Sequence, residues 1–225
     1  MNDRPNNSKV LQRRHFLLGT AGTALVPLVS AQTAAARVTP AQTLGPFYPR
    51  NAAERPSETD NDLLLVQGDR VLTKGVPIYL TGRVLRQGRA VPEAAVEIWQ
   101  CDANAVYHHP AGGAEAERDP NFQGYGLMRA DAAGVFHFRT ICPVSYPGRT
   151  AHIHVRVQAP GSPPLATQFY LPDDPGNRRD FLFSRMNAEE QAAVTLKFEP
   201  TSGAAAMHAM ARATQLTAHA DLVIS

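Results

Sequence analysis

The sequence predicts an all-β protein, a β-sandwich core with long loops and an extended N-terminal arm. Three observations carry this. Short apolar runs recur at close spacing between turn-forming residues, as in "VPIYLTGRVL", "AVEIWQCD" and "PLATQFYL". The second of these alternates with the period of two that a half-buried strand requires. The chain is also generous in turn formers, with 18 prolines and 16 glycines in 225 residues, which favours a loop-rich domain. With 44% hydrophobic and 19% charged residues it is globular rather than disordered. Its length suits one sizeable domain with a real core.

The first element is not part of the fold. Residues 1–36 carry Arg13-Arg14, then His15, Phe16, Leu17 and Leu18, a moderately apolar stretch to Val29, and small residues ending at Ala31 or Ala36. The pattern resembles a twin-arginine export signal, which implies a periplasmic or secreted protein. Gly19, Gly22 and Pro27 interrupt the apolar stretch, which is short for a membrane span. No stable membrane span is expected after processing. The segment holds Arg4, Lys9, Arg13 and Arg14 against Asp3, so the whole-chain charge of +2 leaves about −1 for residues 37–225. The basic character therefore belongs to the signal, and no basic stripe for nucleic acid remains.

Residues 37–225 form the expected β domain. "RVTPAQTLGPFYPRNAAERPSETDND" has no period and reads as the arm. "DLLLV" is a short apolar run and a first strand signal, followed by "VPIYLTGRVL" and a turn rich in small residues. In "AVEIWQCD", Val96 and Ile98 share one face while Glu97, Trp99 and Cys101 share the other. The next excursion, "NAVYHHPAGGAEAERDPNFQGYG", is long enough to suggest a functional loop. Phe136 and Phe138 then share a strand face, and a proline-bearing loop leads into "TAHIHVRVQAP" and "PLATQFYL". Residues 173–194 read mostly as loop with a helical turn, and "TLKFEP" as a last strand candidate. The alanine-rich tail is ambiguous between helix and strand. Cys101 and Cys142 each sit in an apolar run, and two free thiols compete with a disulfide.

The chemistry centres on "RTAHIHVRV". Residues two apart on a strand point the same way, so His152 and His154 project together while Ile153 and Val155 point away. Two such imidazoles can ligate one metal, and the pattern also suits two hydrogen-bonded strand histidines. Each of the two long loops adds a tyrosine, Tyr107 and Tyr146. A phenol keeps its proton at neutral pH unless a cation such as ferric iron displaces it. His108 and His109 read as loop residues near the pocket mouth, and Asp173 and Asp174 as a solvated turn.

Together, "VEIWQCDANAVYHHP", "FQGYG", "ADAAGVFHFRTICPVSYPGRTAHIHVRV" and "TQFYLPDD" resemble the intradiol ring-cleavage dioxygenases, particularly the protocatechuate 3,4-dioxygenase type, over roughly residues 39–175. "TPAQTLGPFYP" is similar to the arm of that type. The resemblance implies a ferric ion, Fe(3+), held by Tyr107, Tyr146, His152 and His154. It implies a catechol-type substrate and O2, cleavage between the two hydroxylated carbons, and a muconate-type product of aromatic catabolism. It gives Tyr146 a catalytic part in substrate deprotonation. It implies that Arg149 stabilises negative charge on the ring and, with Gln168, contacts the substrate. It also implies assembly as a homo-oligomer or with a related chain. The sequence departs from the family in having Thr150 before Ala-His-Ile-His and only Pro147-Gly148 between Tyr146 and Arg149. Two other readings compete. One is an exported β-sandwich module binding an aromatic or carbohydrate ligand, with Trp99, Tyr107 and Phe122 as platforms. The other is a zinc hydrolase on His152 and His154.

Overall fold

Period-two segments of this sequence pair into two β-sheets that send side chains into one apolar core. The computed structural model describes residues 37–66, 73–203, 211 and 214–225. The expected export signal, residues 1–36, lies outside them. Among the described residues the strands run β1 Pro77–Arg86, β2 Arg89–Ala90, β3 Ala95–Trp99, β4 Tyr125–Arg129, β5 Val135–Ile141, β6 His152–Gln158 and β7 Leu165–Tyr170. Helix α1 Ala188–Val194 follows, then β8 Lys197–Pro200, β9 Leu216–His219 and β10 Leu222–Ile224.

The first sheet is built on β1. Its residues pair antiparallel with β5, Leu80 opposite Phe138. On its other side it runs parallel to β9 and then to β10, and β8 pairs antiparallel with β9. β2 folds back on β1 through Gln87-Gly88, both at positive φ (50° and 76°). This is the geometry a two-residue hairpin turn demands. Gly82 marks a close crossing: a Cβ there would stand 1.9 Å from the Ala220 carbonyl oxygen, at the corner between β9 and β10.

The second sheet has the order β4-β3-β6-β7 with every pair antiparallel. Its register decides the site. One rung aligns Tyr125, Trp99, His154 and Gln168, and β6 and β7 set His152 opposite Tyr170. Directly opposed residues share a face. Val96, Ile98, Ile153, Val155, Val157 and Phe169 take the other face and join Leu80, Phe136 and Phe138 of the first sheet in the core. A one-residue slip would put the histidines in that core and the apolar residues outside.

Three segments refine the sequence reading. "DLLLV" forms no strand, only an isolated bridge from Asp62 to Arg139. Asp60 and Asp62 accept from the backbone N–H groups two residues on, at 2.8 and 3.2 Å, and such local bonds compete with a ladder. Leu63 alone of this run is fully buried in the core. Residues 188–194 form a helix opened by an Asn187 cap, with Glu190 completing the capping box. The tail contributes β9 and β10. Both cysteines are free thiols. Burial, reinforced by the Asp102 carboxylate, pushes Cys101 up to about 12.

Candidate active site

Each donor is placed by a local device. Asp102, fully buried, accepts from the N–H groups of Asn104 (2.9 Å), Val106 (3.1 Å) and Asp119 (2.7 Å). These bonds clamp the long excursion and carry Tyr107 to the polar face of the second sheet. Tyr146 comes from a tight turn. In Tyr146-Pro147-Gly148-Arg149 the Arg149 N–H donates to the Tyr146 carbonyl at 2.9 Å, with Gly148 at φ 85°. Proline second and a left-handed glycine third are the signature of a type II turn. The two residues between Tyr146 and Arg149 are the two that such a turn needs, and they set the phenol and guanidinium side by side.

The four side chains converge. His152 Nε2 lies 3.2 Å from His154 Nε2 and 3.5 Å from the Tyr107 hydroxyl. The Tyr146 ring packs 5.5 Å from that of Tyr107 and 5.6 Å from that of His152. His152 Nδ1 is 2.7 Å from the Thr150 carbonyl oxygen. That bond needs the proton on Nδ1, which leaves a lone pair on Nε2 facing the cluster. The facing His154 Nε2 is the other donor of the pair, and His154 Nδ1 is buried without a hydrogen-bond partner. Burial, then the charge of Arg149, lowers His152 to about 4. Burial and the neighbouring His152 hold His154 well below its ordinary value. Both imidazoles are therefore neutral donors at pH 7. Burial raises both phenols, most strongly Tyr107, while Arg149 opposes the rise.

This donor set fits a first-row cation. Two ligands on one ion with bonds of about 2.1 Å sit roughly 3.0–3.4 Å apart, which matches the imidazole nitrogens. Among the described residues no group of three or more His, Cys, Asp or Glu side chains is placed to hold a metal. An ion here would draw on the tyrosines, and two anionic phenolates beside two imidazoles suit a hard, highly charged ion such as ferric iron.

Arg149 is not a surface charge. Its Nε donates to Asp180 (2.8 Å) and a terminal nitrogen to Gln168 Oε1 (2.6 Å), and its side chain is only 8% exposed. Gln168, fully buried, also accepts from the Tyr170 hydroxyl. His108 instead pairs with Asp102. His108 and His109 line a different cavity with Arg118 and Gln123, one that holds none of the four donors. Asp173 and Asp174 form the expected turn, where the Asp174 carboxylate accepts from Gly176 N–H at 2.7 Å.

Several contributors escaped the sequence reading. Phe47 stacks on Tyr107 (4.2 Å, 21°) and meets Tyr146 edge-on. The backbone of Gly45, at φ 72°, passes so close that a Cβ would sit 3.2 Å from His154 Cε1. Asp180 anchors Arg149 from a distant loop. Only the "GPFY" resemblance hinted at the first two. Trp99 stacks nearly parallel on His154 at 4.8 Å, and its other neighbour is Tyr48. Trp99, Tyr107 and Phe122 are 1–3% exposed, so none is an open binding platform.

An all-β fold with two buried histidines, a buried and a half-buried tyrosine and an adjoining arginine defines a candidate metal-dependent enzyme. A family model described as "Dioxygenase" matches residues 44–213, and the chain belongs to that family, the intradiol dioxygenases. It is 37% identical to the protocatechuate 3,4-dioxygenase beta chain of Burkholderia cepacia over 57% of this chain and 59% of that one. It is 34% identical to the 6-chlorohydroxyquinol 1,2-dioxygenase of Cupriavidus pinatubonensis over 45% of this chain and 42% of that one. The chain thus spans about half the length of the curated relatives it matches. Among solved structures, it resembles the dioxygenase domain of a dioxygenase and carbohydrate-binding protein fusion from Streptomyces sp. SirexAA-E. That match has a TM-score of 0.58 at 30% identity and covers 83% of this chain and 97% of that chain. A hydroxyquinol 1,2-dioxygenase from Pseudomonas putida DLL-E4 matches with a TM-score of 0.62 at 25% identity, over 83% and 66%.

Proposed function

We propose that this chain cleaves the ring of a catechol-type substrate between its two hydroxylated carbons. Both atoms of O2 enter a muconate-type product of aromatic catabolism. The observation that carries the reading is the convergence of Tyr107, Tyr146, His152 and His154 on one point, with neutral imidazoles facing each other at 3.2 Å. A ferric ion held there would act as Lewis acid and template for the deprotonated diol.

The chain's own residues do the rest. Tyr146 is the less buried phenol and lines a surface cavity, so it is the residue placed to move and, having lost its proton to the bound cation, to take up a substrate proton on its phenolate oxygen. Tyr107, packed under Phe47, stays fixed. Arg149 presents a fixed positive charge beside Tyr146, which stabilises negative charge developing on the ring as oxygen attacks. Gln168 and Asp180 hold that guanidinium in place. Trp99 and Phe47 keep water from the donors. The same proposal reads the two sheets on one core as the sandwich, and the segment that brings Gly45 and Phe47 to the site as its arm. Export through the twin-arginine-type segment belongs to it too, as does assembly as a homo-oligomer or with a related chain.

The test is oxygen uptake with catechol, with product identification. The iron-loaded chain is expected to show a visible tyrosinate-to-iron absorption band. Tyr146→Phe should shift the band and lower turnover by 100-fold or more, on the order of a lost proton-transfer group. Tyr107→Phe should shift the band and lose iron. Unchanged spectra in both variants would count decisively against the assignment. N-terminal sequencing of the chain from a periplasmic fraction, with and without Arg13→Lys and Arg14→Lys, tests export.

A further inference from the structure

The long excursion after Trp99 borders a second cavity, of about 380 Å³, together with residues 53–58. That lies within the roughly 300–1,000 Å³ of small-molecule sites. The cavity holds none of Tyr107, Tyr146, His152 and His154, and ring cleavage gives it no part. Three of its lining side chains each bring a buried polar atom with no hydrogen-bond partner among the described residues: His109 Nε2, Arg118 Nε and Gln123 Oε1. His109 and Gln123 are only 8% and 3% exposed. Buried polar atoms are ordinarily paired, so three orphans on one cavity point to a ligand.

The bonds each side chain does make decide what its free atom offers. Ala111 N–H donates to His109 Nδ1 at 3.1 Å, so the ring proton sits on Nε2, a free donor. Glu54 Oε2 stands 3.5 Å from that nitrogen without a hydrogen bond to it. Arg118 gives a terminal nitrogen to the His109 carbonyl at 2.8 Å, which leaves its Nε–H. Gln123 donates its amide nitrogen to the carbonyls of Asp60 (3.0 Å) and Tyr125 (2.7 Å), which leaves Oε1 as an acceptor. The cavity thus presents two donors and one acceptor, held in place before any ligand arrives. A hydroxyl group both accepts and donates, so a molecule with several hydroxyls can satisfy all three. Charge argues the same way. Three carboxylates, Glu54, Glu58 and Glu115, stand against two guanidinium groups, Arg55 and Arg118, and an anion gains no net attraction. Pro110, Pro120 and Phe122 add apolar surface for the carbon face of a sugar ring.

We propose that this cavity is a second ligand site, for a neutral sugar, separate from the ring-cleavage centre. His109 and Arg118 donate to hydroxyl oxygens of the sugar, and Gln123 accepts from one of its hydroxyl groups. Binding there requires neither iron nor ring cleavage. The test is titration calorimetry on the full chain, iron-loaded and iron-free, with methyl glucoside and with glucuronate. Methyl glucoside is expected to bind both forms one to one with a Kd on the order of 1 mM, and glucuronate more weakly. Catechol should not displace it. Arg118→Met should weaken binding by about tenfold or more, as loss of a charge-assisted hydrogen bond does. Ala53→Trp, at an exposed position on the other wall, should fill the cavity and block binding, while its circular-dichroism melt matches the parent. No binding of methyl glucoside to the parent at about ten times the expected Kd overturns the proposal. So do tighter binding of glucuronate, displacement by catechol, or sugar binding that survives either substitution.

Discussion

Arg149 and Asp180 illustrate how much a single residue's meaning depends on its partner. The position of Arg149 before His152 and His154 made it a candidate, while Asp180 lay in a stretch that read as loop. The Asp180 carboxylate is buried and accepts from Arg149, from Thr150 N–H and from the N–H groups of Leu182 and Phe183. These bonds lower its pKa, against the opposing effect of burial. A carboxylate with a folded pKa below its unfolded value of about 3.9 adds stability above that unfolded value. The contribution disappears as pH falls through the folded one. Asp180→Asn should therefore cost about 3 kcal/mol at pH 7, as expected for breaking a buried pair. The gap from the parent should close on acidification below about pH 4. Thermal melts of both proteins from pH 7 to pH 3 check this, and parallel curves would refute it. The four side chains that cluster were legible as candidates because each stands in a recognisable run. Asp180 was not, since a contact with Arg149 spanning 31 residues leaves no local pattern.

At the level of elements, the Tyr146–Arg149 turn does the positioning. Its sequence, proline then glycine, states the turn type locally, and Gly148 takes the φ of 85° that an L side chain resists. Gly148→Ala should cost about 1 kcal/mol in stability. It should cost far more in turnover, roughly 100-fold, because both Tyr146 and Arg149 move with the turn. Gly161→Ala is the matched control. Gly161 also has positive φ (71°), but it lies at the opposite end of β6 from His152, with open space around it. It should lose similar stability and keep its turnover. Equal losses of turnover in both variants would deny the turn its positioning role. The strands were legible for a related reason, since β3 and β6 advertise their faces by alternation. "DLLLV" misled because aspartate-capped turns consume the backbone groups that a strand would use.

Across the whole molecule, the two sheets depend on one core. Phe138 lies in the first sheet and packs in the cluster that includes Ile98 and Ile153 of the second. Phe138→Ala should cost about 3–5 kcal/mol. The chain has one tryptophan, Trp99, and it belongs to the second sheet. Its fluorescence midpoint in denaturant should fall as far as the circular-dichroism midpoint. A fluorescence midpoint left unmoved would mean that the sheets unfold independently.

The boundary between pattern and fold follows from range. Alternation is local: the pleat turns successive side chains to opposite faces, so His152 and His154 had to share a face wherever that strand lay. The turn at Pro147-Gly148 and the excursion after Trp99 were equally readable, because their backbone demands are written in adjacent residues. Which loops would meet over β6 was not readable. Tyr107 and Tyr146 reach the same point because β3, β6 and β7 align in one register, and that register is chosen by the apolar face those strands bury against the other sheet. The stacking of Phe47 on Tyr107 and the pairing of Asp180 with Arg149 arise in the same way. They are products of long-range chain closure around a common core, and no window of sequence contains both partners.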